Sequence, residues 1–344
     1  MKNLNISIDV GGTHTRLRAE IIENEKNDLL SKEFIQKINS KEELRSFIKA
    51  SLNDIDPDIK PTHGVIGFAG AIIDHRKVEI TNWKNIPTII LEDLIELGFP
   101  ESNTIMVNDM EMAGYGILEM EEKGELDSDK CQILYKPDFS AKNRINNKLV
   151  IAPGTGFGTA SIIEFTTHSG EQVRDVLSSE IQHIQVPYLD DRHAKIVSII
   201  LSNKPERSFL NFEDFVSGKG LCKTYDAILK LDGVVQKKEK EASEIARSAV
   251  SGSDKYAVEA LNIFYRSVGR IIQAMALMIQ PYGGIYLCGA STINNAKFIH
   301  QSGLMKEFHN CLIRQQLLTQ FPVYLIKKPD INIAGGLWAC RSIL

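Results

Sequence analysis

Two glycine-rich segments of the chain each follow a strand-like run of apolar residues. One contains Asp9, Gly11, Gly12 and Thr13, and the other contains Gly154, Thr155 and Gly156. A turn built from glycine leaves backbone N–H groups open to an anion such as phosphate, because no Cβ blocks the approach. The two threonine hydroxyls can donate to a phosphate oxygen, and Asp9 offers the hard oxygen that Mg²⁺ or its waters prefer.

Neither segment matches a familiar phosphate-binding motif. The spacing GxxxxGK[ST] of the P-loop does not occur in them, and neither shows a GxGxxG that opens a helix in the manner of a dinucleotide-binding fold. For one segment alone, a plain hairpin turn is as good an explanation as phosphate binding. The second segment of the same kind favours a pair of phosphate loops.

Asn108 and Asp109 follow the apolar run TIMV, which predicts a strand. Ligands of open α/β sheets gather beyond the carboxyl ends of the strands, so Asp109 stands where a general base is expected. An aspartate at this place is also a common cap for a helix, here one that begins at Met110. Position alone leaves both interpretations open.

Glu180 and His183 place a carboxylate and an imidazole three residues apart in the segment LSSEIQHIQVP. The alternation of apolar and polar residues predicts a strand here. The pair could bind a ligand, but a hydrogen-bonded structural histidine and a solvated surface glutamate explain it as well.

The elements that would position these residues are those of an α/β chain with a mixed sheet. Apolar or alternating runs predict strands at 5–10, 15–20, 64–69, 104–107 and 284–288, and antiparallel hairpins around both glycine-rich segments, the second over 148–163. Apolar spacings of three and four predict helices at 41–52, 242–251 and 256–279. The polar stretches 119–129 and 136–147 predict a surface excursion at a domain junction.

Composition narrows the classes of protein. The chain has 344 residues, 43% hydrophobic and 24% charged, which is typical of ordered globular proteins. Its 40 Lys and Arg against 44 Asp and Glu give a net charge of −4, so nucleic acid is a poor partner. Five scattered cysteines without a CxxC pair favour reduced thiols over structural zinc. The apolar stretch 271–279 is too short to span a bilayer, and the N-terminus lacks secretory signal features, which favours a cytoplasmic location.

Motifs along nearly the whole chain resemble those of the bacterial-type glucokinases, a family of the hexokinase and actin-like ATPase superfamily. They occur in the family's order and approximate spacing, as DVGGT at 9–13, VND at 107–109, GTGFG at 154–158, FEDFVSGKG at 212–220 and GGIYLCGA at 283–290. The resemblance implies an α/β chain with the two-domain actin-like ATPase (ribonuclease H-like) fold, a mixed sheet in each domain and an active-site cleft between them. The expected small domain is 1–110 with about 328–344, and the expected large domain is 111–327.

The same resemblance implies a glucokinase, which makes glucose 6-phosphate and ADP from glucose and ATP with Mg²⁺. Asp109 would take the proton of the sugar's 6-hydroxyl as that oxygen attacks the γ-phosphate. The glycine-rich segments would hold the triphosphate, and Gly289 would lie near the adenosine. A homodimer is also implied. The residues expected to bind sugar hydroxyls are Asn108, Asp109, Glu180, His183 and Glu213.

The chain departs from the family's sugar-binding motif PGEGGH. Ser178 and Ser179 replace Pro-Gly, and Ile181 and Gln182 replace the two glycines, so the backbone approaches a sugar less closely. His14 and Ala290 are departures near the nucleotide. A kinase of another hexose, such as mannose or glucosamine, and a non-catalytic nucleotide-binding regulatory relative therefore stay open as alternatives.

Overall fold

A computed structural model describes residues 2–12, 14–23, 30–80, 83, 85–138, 145–235 and 238–344. The strands are β1 (Lys2–Val10), β2 (Thr15–Glu23), β3 (Leu30–Gln36), β4 (His63–Phe68), β5 (Ile72–Ile73), β6 (Lys77–Glu79), β7 (Thr88–Ile90), β8 (Thr104–Asn108), β9 (Cys131–Tyr135), β10 (Lys148–Pro153), β11 (Phe157–Thr166), β12 (Gln172–Ser179), β13 (Gly284–Leu287) and β14 (Val323–Ile326). The helices are α1 (Lys41–Ile55), α2 (Leu91–Ile95), α3 (Asp109–Glu122), α4 (Asp191–Ser202), α5 (Glu213–Val216), α6 (Gly218–Leu231), α7 (Ala242–Ser251), α8 (Lys255–Ile279), α9 (Ala290–Asn294), α10 (Ala296–Ile299), α11 (Leu304–His309), α12 (Gln315–Leu318) and α13 (Ile331–Ser342).

The chain folds into two compact units, each with its own hydrophobic core. The first unit consists of Met1–Leu126 and Asp330–Leu344, and the second of Asp127–Pro329. The chain therefore passes between the units twice. Its last helix, α13, belongs to the first unit together with the N-terminal strands.

The main sheet of the first unit has the strand order β3-β2-β1-β4-β8. Strands β3, β2 and β1 are antiparallel, whereas β1, β4 and β8 are parallel. Ile6 and Ile8 are fully buried on one face of β1, but Ser7 on the other face is buried as well. The half-buried strand that its alternation predicts is therefore covered on both faces, because α13 packs against the face that carries Ser7. A smaller antiparallel sheet has the order β5-β6-β7.

Helices α3 and α13 of the first unit pack so closely that backbone meets backbone. A Cβ at Gly335 would clash with the carbonyl oxygen of Met112, and one at Gly336 would clash with Ser7 Oγ. Glycine in α13 thus lets this helix lie directly on α3 and on β1. The close contact fixes the position of α3, whose first residue is Asp109.

The sheet of the second unit has the order β12-β11-β10-β13-β14-β9. Strands β10, β13 and β14 are parallel, and β12, β11 and β10 form an antiparallel meander. Helix α8, 25 residues long, begins at the cap residue Asp254 and contributes Tyr265 and Ile271 to the core. Among the described residues, no helix is both long and apolar enough to cross a membrane.

The structure confirms the α/β class, the mixed sheets and both glycine-rich hairpins. Apart from residues 180–187 of the segment LSSEIQHIQVP, every predicted strand is present, and so is every predicted helix. Their ends differ from the predicted ones by a few residues. The prediction of a surface excursion over 119–129 is wrong for its first residues. Glu119 lies in the last turn of α3 and is buried. Hydrogen bonds from Lys123 and Arg341 to its carboxylate compensate for the loss of water. Much of the excursion expected at 136–147 lies outside the described residues.

Candidate active site

In the first unit, three parallel strands end at the same edge of the sheet. Val10 of β1 pairs with Phe68 of β4, and Phe68 pairs with Asn108 of β8. The glycine turn after β1, the loop after β4 and the start of α3 therefore lie side by side. This edge brings Gly11, Gly12, Asn108 and Asp109 together with Asp9.

The first glycine-rich segment is a tight hairpin turn, as its sequence predicts. Gly11 N donates to the carbonyl oxygen of His14 (3.2 Å), and Gly12 is exposed. Thr13 lies outside the described residues.

Asp9 is a partly buried carboxylate on β1, one residue before this turn region. Burial raises the pKa of Asp9 to about 6, although the charge of Arg16 and a hydrogen bond from Asn332 both favour the ionised form. Asn332 comes from α13, at the other end of the chain, and the sequence offered no signal for this contact. A cation near Asp9 would stabilise its ionised form.

Asn108, and not Asp109, caps α3. Asn108 Oδ1 accepts a hydrogen bond from Met110 N (2.8 Å), and its Nδ2 donates to the carbonyl oxygen of Gly70 (2.9 Å). The interpretation of Asp109 as the cap is therefore wrong. Asp109 is the first residue of the helix, where the helix dipole favours an ionised carboxylate.

In the second unit, the loop of Gly154, Thr155 and Gly156 joins β10 to β11. Gly154 N donates to the carbonyl oxygen of Gly156 (2.8 Å). Gly218 N, at the start of α6, donates to the carbonyl oxygen of Thr155 (3.3 Å). The loop is therefore held against the N-terminus of α6, where backbone N–H groups and the helix dipole favour an anion.

Gly289 lies at the same edge of this sheet. Parallel strands β10 and β13 pair Ile151 with Leu287, so the residues that follow them are neighbours. Gly289 has φ +96°, a conformation that side chains rarely adopt, and it precedes α9. A Cβ at Gly154 would lie 3.8 Å from Ser291 Oγ in α9, which places the two loops in proximity.

Glu180, His183 and Glu213 form a cluster beside the second glycine-rich loop. His183 Nε2 lies 3.4 Å from Glu180 Oε2, and His183 Nδ1 lies 3.6 Å from Glu213 Oε2. The side chain of His183 is 55% exposed, that of Glu180 is 53% exposed and that of Glu213 is 40% exposed. All three are therefore accessible to a ligand. A Cβ at Gly156 would lie 3.7 Å from Glu213 Oε1.

The strand predicted through Glu180 and His183 is wrong. β12 ends at Ser179, and residues Ile181–His183 form one turn of 3₁₀-helix. In a 3₁₀ turn, side chains three residues apart lie above one another, and this brings the imidazole to the carboxylate. The alternation of LSSEIQH fits such a turn as well as a strand.

Helix α5, which begins with Glu213, is held by an ion-pair network that sequence patterns did not reveal. Buried Asp214 accepts hydrogen bonds from Lys204 Nζ (2.6 Å), Arg207 and Asn211 N. These contacts hold the pKa of Asp214 below its usual value, against the effect of burial, which is the largest influence and acts upward. A Cβ at Gly220 would lie 2.7 Å from the carbonyl oxygen of Asp214, so α6 also packs directly on α5.

Three comparisons with known proteins agree. A family model described as Glucokinase matches residues 6–342. The glucokinase of Nitrobacter hamburgensis is 24% identical over 336 residues, which cover 97% of this chain and 96% of that protein, and the glucokinase of Rhizobium etli is 24% identical over 279 residues, covering 80% and 75%.

Among solved structures, the crystal structure of glucokinase from Balamuthia mandrillaris in complex with glucose matches with a TM-score of 0.85 and 24% identity, covering 99% of this chain and 94% of that chain. The fold is therefore that of a known kinase structure, and the family model spans nearly all of the sequence. The chain belongs to the glucokinase family.

Proposed function

We propose that this chain phosphorylates glucose at the expense of ATP, giving glucose 6-phosphate and ADP. The observation that carries the proposal is the cluster of Glu180, His183 and Glu213, which two separate segments bring together in a chain of this family. Two carboxylates and an imidazole offer several acceptors and a donor to adjacent hydroxyl groups, which is the recognition that a sugar requires.

Asp109 is the proposed general base. Its place at the first residue of α3 favours the ionised form, which is the form that accepts a proton. The sugar's 6-hydroxyl would lose its proton to Asp109 as its oxygen attacks the γ-phosphorus and the bond to the ADP oxygen breaks. The side-chain amide of Asn108 is held by Met110 N and the Gly70 carbonyl oxygen. Asn108 and Asp109 would both bind sugar hydroxyls and so orient the sugar.

The nucleotide would be bound by the two glycine loops. Gly11, Gly12 and Thr13 of the first unit and Gly154, Thr155 and Gly156 of the second would supply backbone N–H groups and hydroxyls for the triphosphate. Gly289 would lie near the adenosine. We assign the two units to the two domains of an actin-like ATPase fold, and exclusion of water on domain closure would protect ATP from hydrolysis.

The donors present fit an indirectly bound Mg²⁺ ion. Within the described part of the chain, no group of three or more His, Cys, Asp or Glu side chains could hold a metal. Asp9 alone, a partly buried carboxylate beside a phosphate-binding turn, suits an ion that keeps its waters and is held mainly by phosphate oxygens. When bound, such an ion neutralises charge on the transferred phosphoryl group.

A coupled ADP-release assay with ATP, Mg²⁺ and a panel of glucose, mannose and glucosamine tests the proposal. Glucose should give the highest kcat/KM. A higher value with mannose or glucosamine would favour the other hexose kinases, which the departures at Ile181 and Gln182 keep open. No sugar-dependent ADP release at all would favour the non-catalytic relative.

Asp109→Asn, which keeps the shape and removes the basic oxygen, should lower kcat by at least about 10²-fold, because general-base catalysis contributes that much or more. Asp58→Asn changes an exposed carboxylate of the same unit in the same way and should leave kcat unchanged. Near-normal turnover of Asp109→Asn would remove this residue from the mechanism.

The homodimer stays a prediction, to be measured by light scattering of the purified protein.

A further inference from the structure

Gln182 lies between the two residues that are proposed to bind the sugar, where the resembling family has glycine. Its side chain is buried, with 8% of the residue exposed. Gln182 Nε2 donates to Glu180 Oε2 at 2.5 Å, a short hydrogen bond to a charged acceptor. The substitution for glycine thus introduces a direct partner for the sugar-binding carboxylate.

The orientation of this amide follows from its surroundings. An ionised carboxylate only accepts hydrogen bonds, so the nitrogen, and not the oxygen, of Gln182 must face Glu180. Gln182 Oε1 points the other way, is buried, and has no hydrogen-bond partner in the part of the chain that the structure describes. The side chain therefore holds Glu180 through its N–H group, while its carbonyl oxygen forms no hydrogen bond within the described part of the protein.

This contact divides the two oxygens of Glu180. Oε2 receives the Gln182 amide and faces His183 Nε2 at 3.4 Å. Oε1 accepts no hydrogen bond from the described residues, and the side chain is 53% exposed. The protein thus takes one acceptor site of Oε2, and both sites of Oε1 are left for a ligand hydroxyl.

We propose that Gln182 is a positioning residue that fixes the Glu180 carboxylate and restricts it to one sugar hydroxyl, and that it thereby sets hexose preference. The proposal rests on the proposed function of the Glu180 site. A carboxylate without this partner would rotate freely and could accept from two adjacent hydroxyls. With it, Glu180 gains orientation and offers the sugar chiefly Oε1, which makes this contact more selective.

The variant Gln182→Met separates this role from a structural one. Methionine keeps the length and burial of the side chain and removes only the amide. We expect the KM for glucose to rise about 5- to 10-fold with kcat within about 2-fold, because a less well oriented Glu180 binds the sugar hydroxyl more weakly in the ground state and the transition state alike. The melting temperature should change little, since loss of the hydrogen bond to Glu180 and removal of a buried acceptor without a partner act in opposite directions. Gln185→Met, at an exposed glutamine three residues further on, is the matched control and should leave both values unchanged.

A double-mutant cycle tests whether Gln182 acts through Glu180. In a Glu180→Ala background, Gln182→Met should cause no further rise in KM, because its partner is already absent. Deoxyglucoses that each lack one hydroxyl identify the hydroxyl bound by Glu180. It is the hydroxyl whose removal raises the KM of the wild type but does not raise the KM of Glu180→Ala any further. Removal of that hydroxyl should cost less in Gln182→Met than in the wild type.

Two results would overturn the proposal. They are an unchanged KM in Gln182→Met, whatever its melting temperature, and an equal effect of Gln182→Met with and without Glu180. Calorimetry of glucose binding makes the same comparison without turnover. A wild type that binds glucose but does not phosphorylate it would overturn the proposed function alone, whereas a wild type that does not bind glucose would overturn both.

Discussion

The side chain of His193, in the first turn of α4, is buried close to the proposed sugar-binding cluster of the second unit. Its ring lies 4.8 Å from that of Phe215 in α5, two residues beyond Glu213, and its Nδ1 accepts a hydrogen bond from Leu189 N (3.2 Å). The proton of the neutral ring therefore lies on Nε2, which is buried and has no partner among the described residues. Burial, aided by Arg266, lowers the pKa of His193 to about 4, although Asp190 and Glu307 act in the opposite direction.

This pKa predicts a loss of stability in mild acid. The unfolded chain takes up the proton near pH 6.5, whereas the folded protein takes it up only near 4, so the free energy of unfolding should fall by about 3 kcal/mol as the pH drops from 6.5 to 4. His193→Asn keeps an acceptor near Leu189 N and cannot titrate, so its stability should depend less steeply on pH in this window. Urea unfolding at a series of pH values measures both slopes. Exposed His300→Asn is the control, and equal slopes for wild type and His193→Asn would contradict the assignment.

At the scale of the element, the contact of α3 with α13 determines where the proposed base stands. Alanine normally stabilises a helix relative to glycine by roughly 0.5–1 kcal/mol. At Gly335 the added Cβ would clash with the backbone of Met112, three residues from Asp109, so Gly335→Ala should lower the free energy of unfolding by about 1–3 kcal/mol instead. Urea unfolding decides between the two signs, and a more stable variant would show that the helices can separate without cost.

Local patterns predicted the elements well and their partners poorly. Helix α7 begins and ends at the residues that its periodicity indicates, and the glycine turns lie where glycine allows them. The turn at Glu180 was missed because apolar and polar residues alternate in the sequence there, although in the structure polar Gln182 is buried and apolar Ile184 is exposed. Asn332 on Asp9 and the Lys204 and Arg207 pairs with Asp214 depend on tertiary contacts, for which one sequence contains no periodic signal.

For the whole molecule, the two passages of the chain between its units, near 126–127 and 329–330, have a consequence for the proposed reaction. Water competes with the sugar for the γ-phosphate, so a kinase gains from excluding it once the sugar is bound. Because each unit has its own hydrophobic core, a change of backbone conformation at these two passages leaves both cores intact.

We therefore predict that saturating glucose lowers the radius of gyration in small-angle X-ray scattering and protects the bonds near 126–127 and 329–330 from proteolysis. The physical reason is that the proposed function assigns sugar contacts to residues of both units, Asp109 in one and Glu213 in the other, and binding favours whichever conformation lets both contact the same molecule. A hexose that the ADP-release assay shows to be no substrate is the control. Unchanged scattering, at a glucose concentration that calorimetry shows to saturate the protein, would contradict closure while leaving the roles of the individual residues to be tested by their own variants.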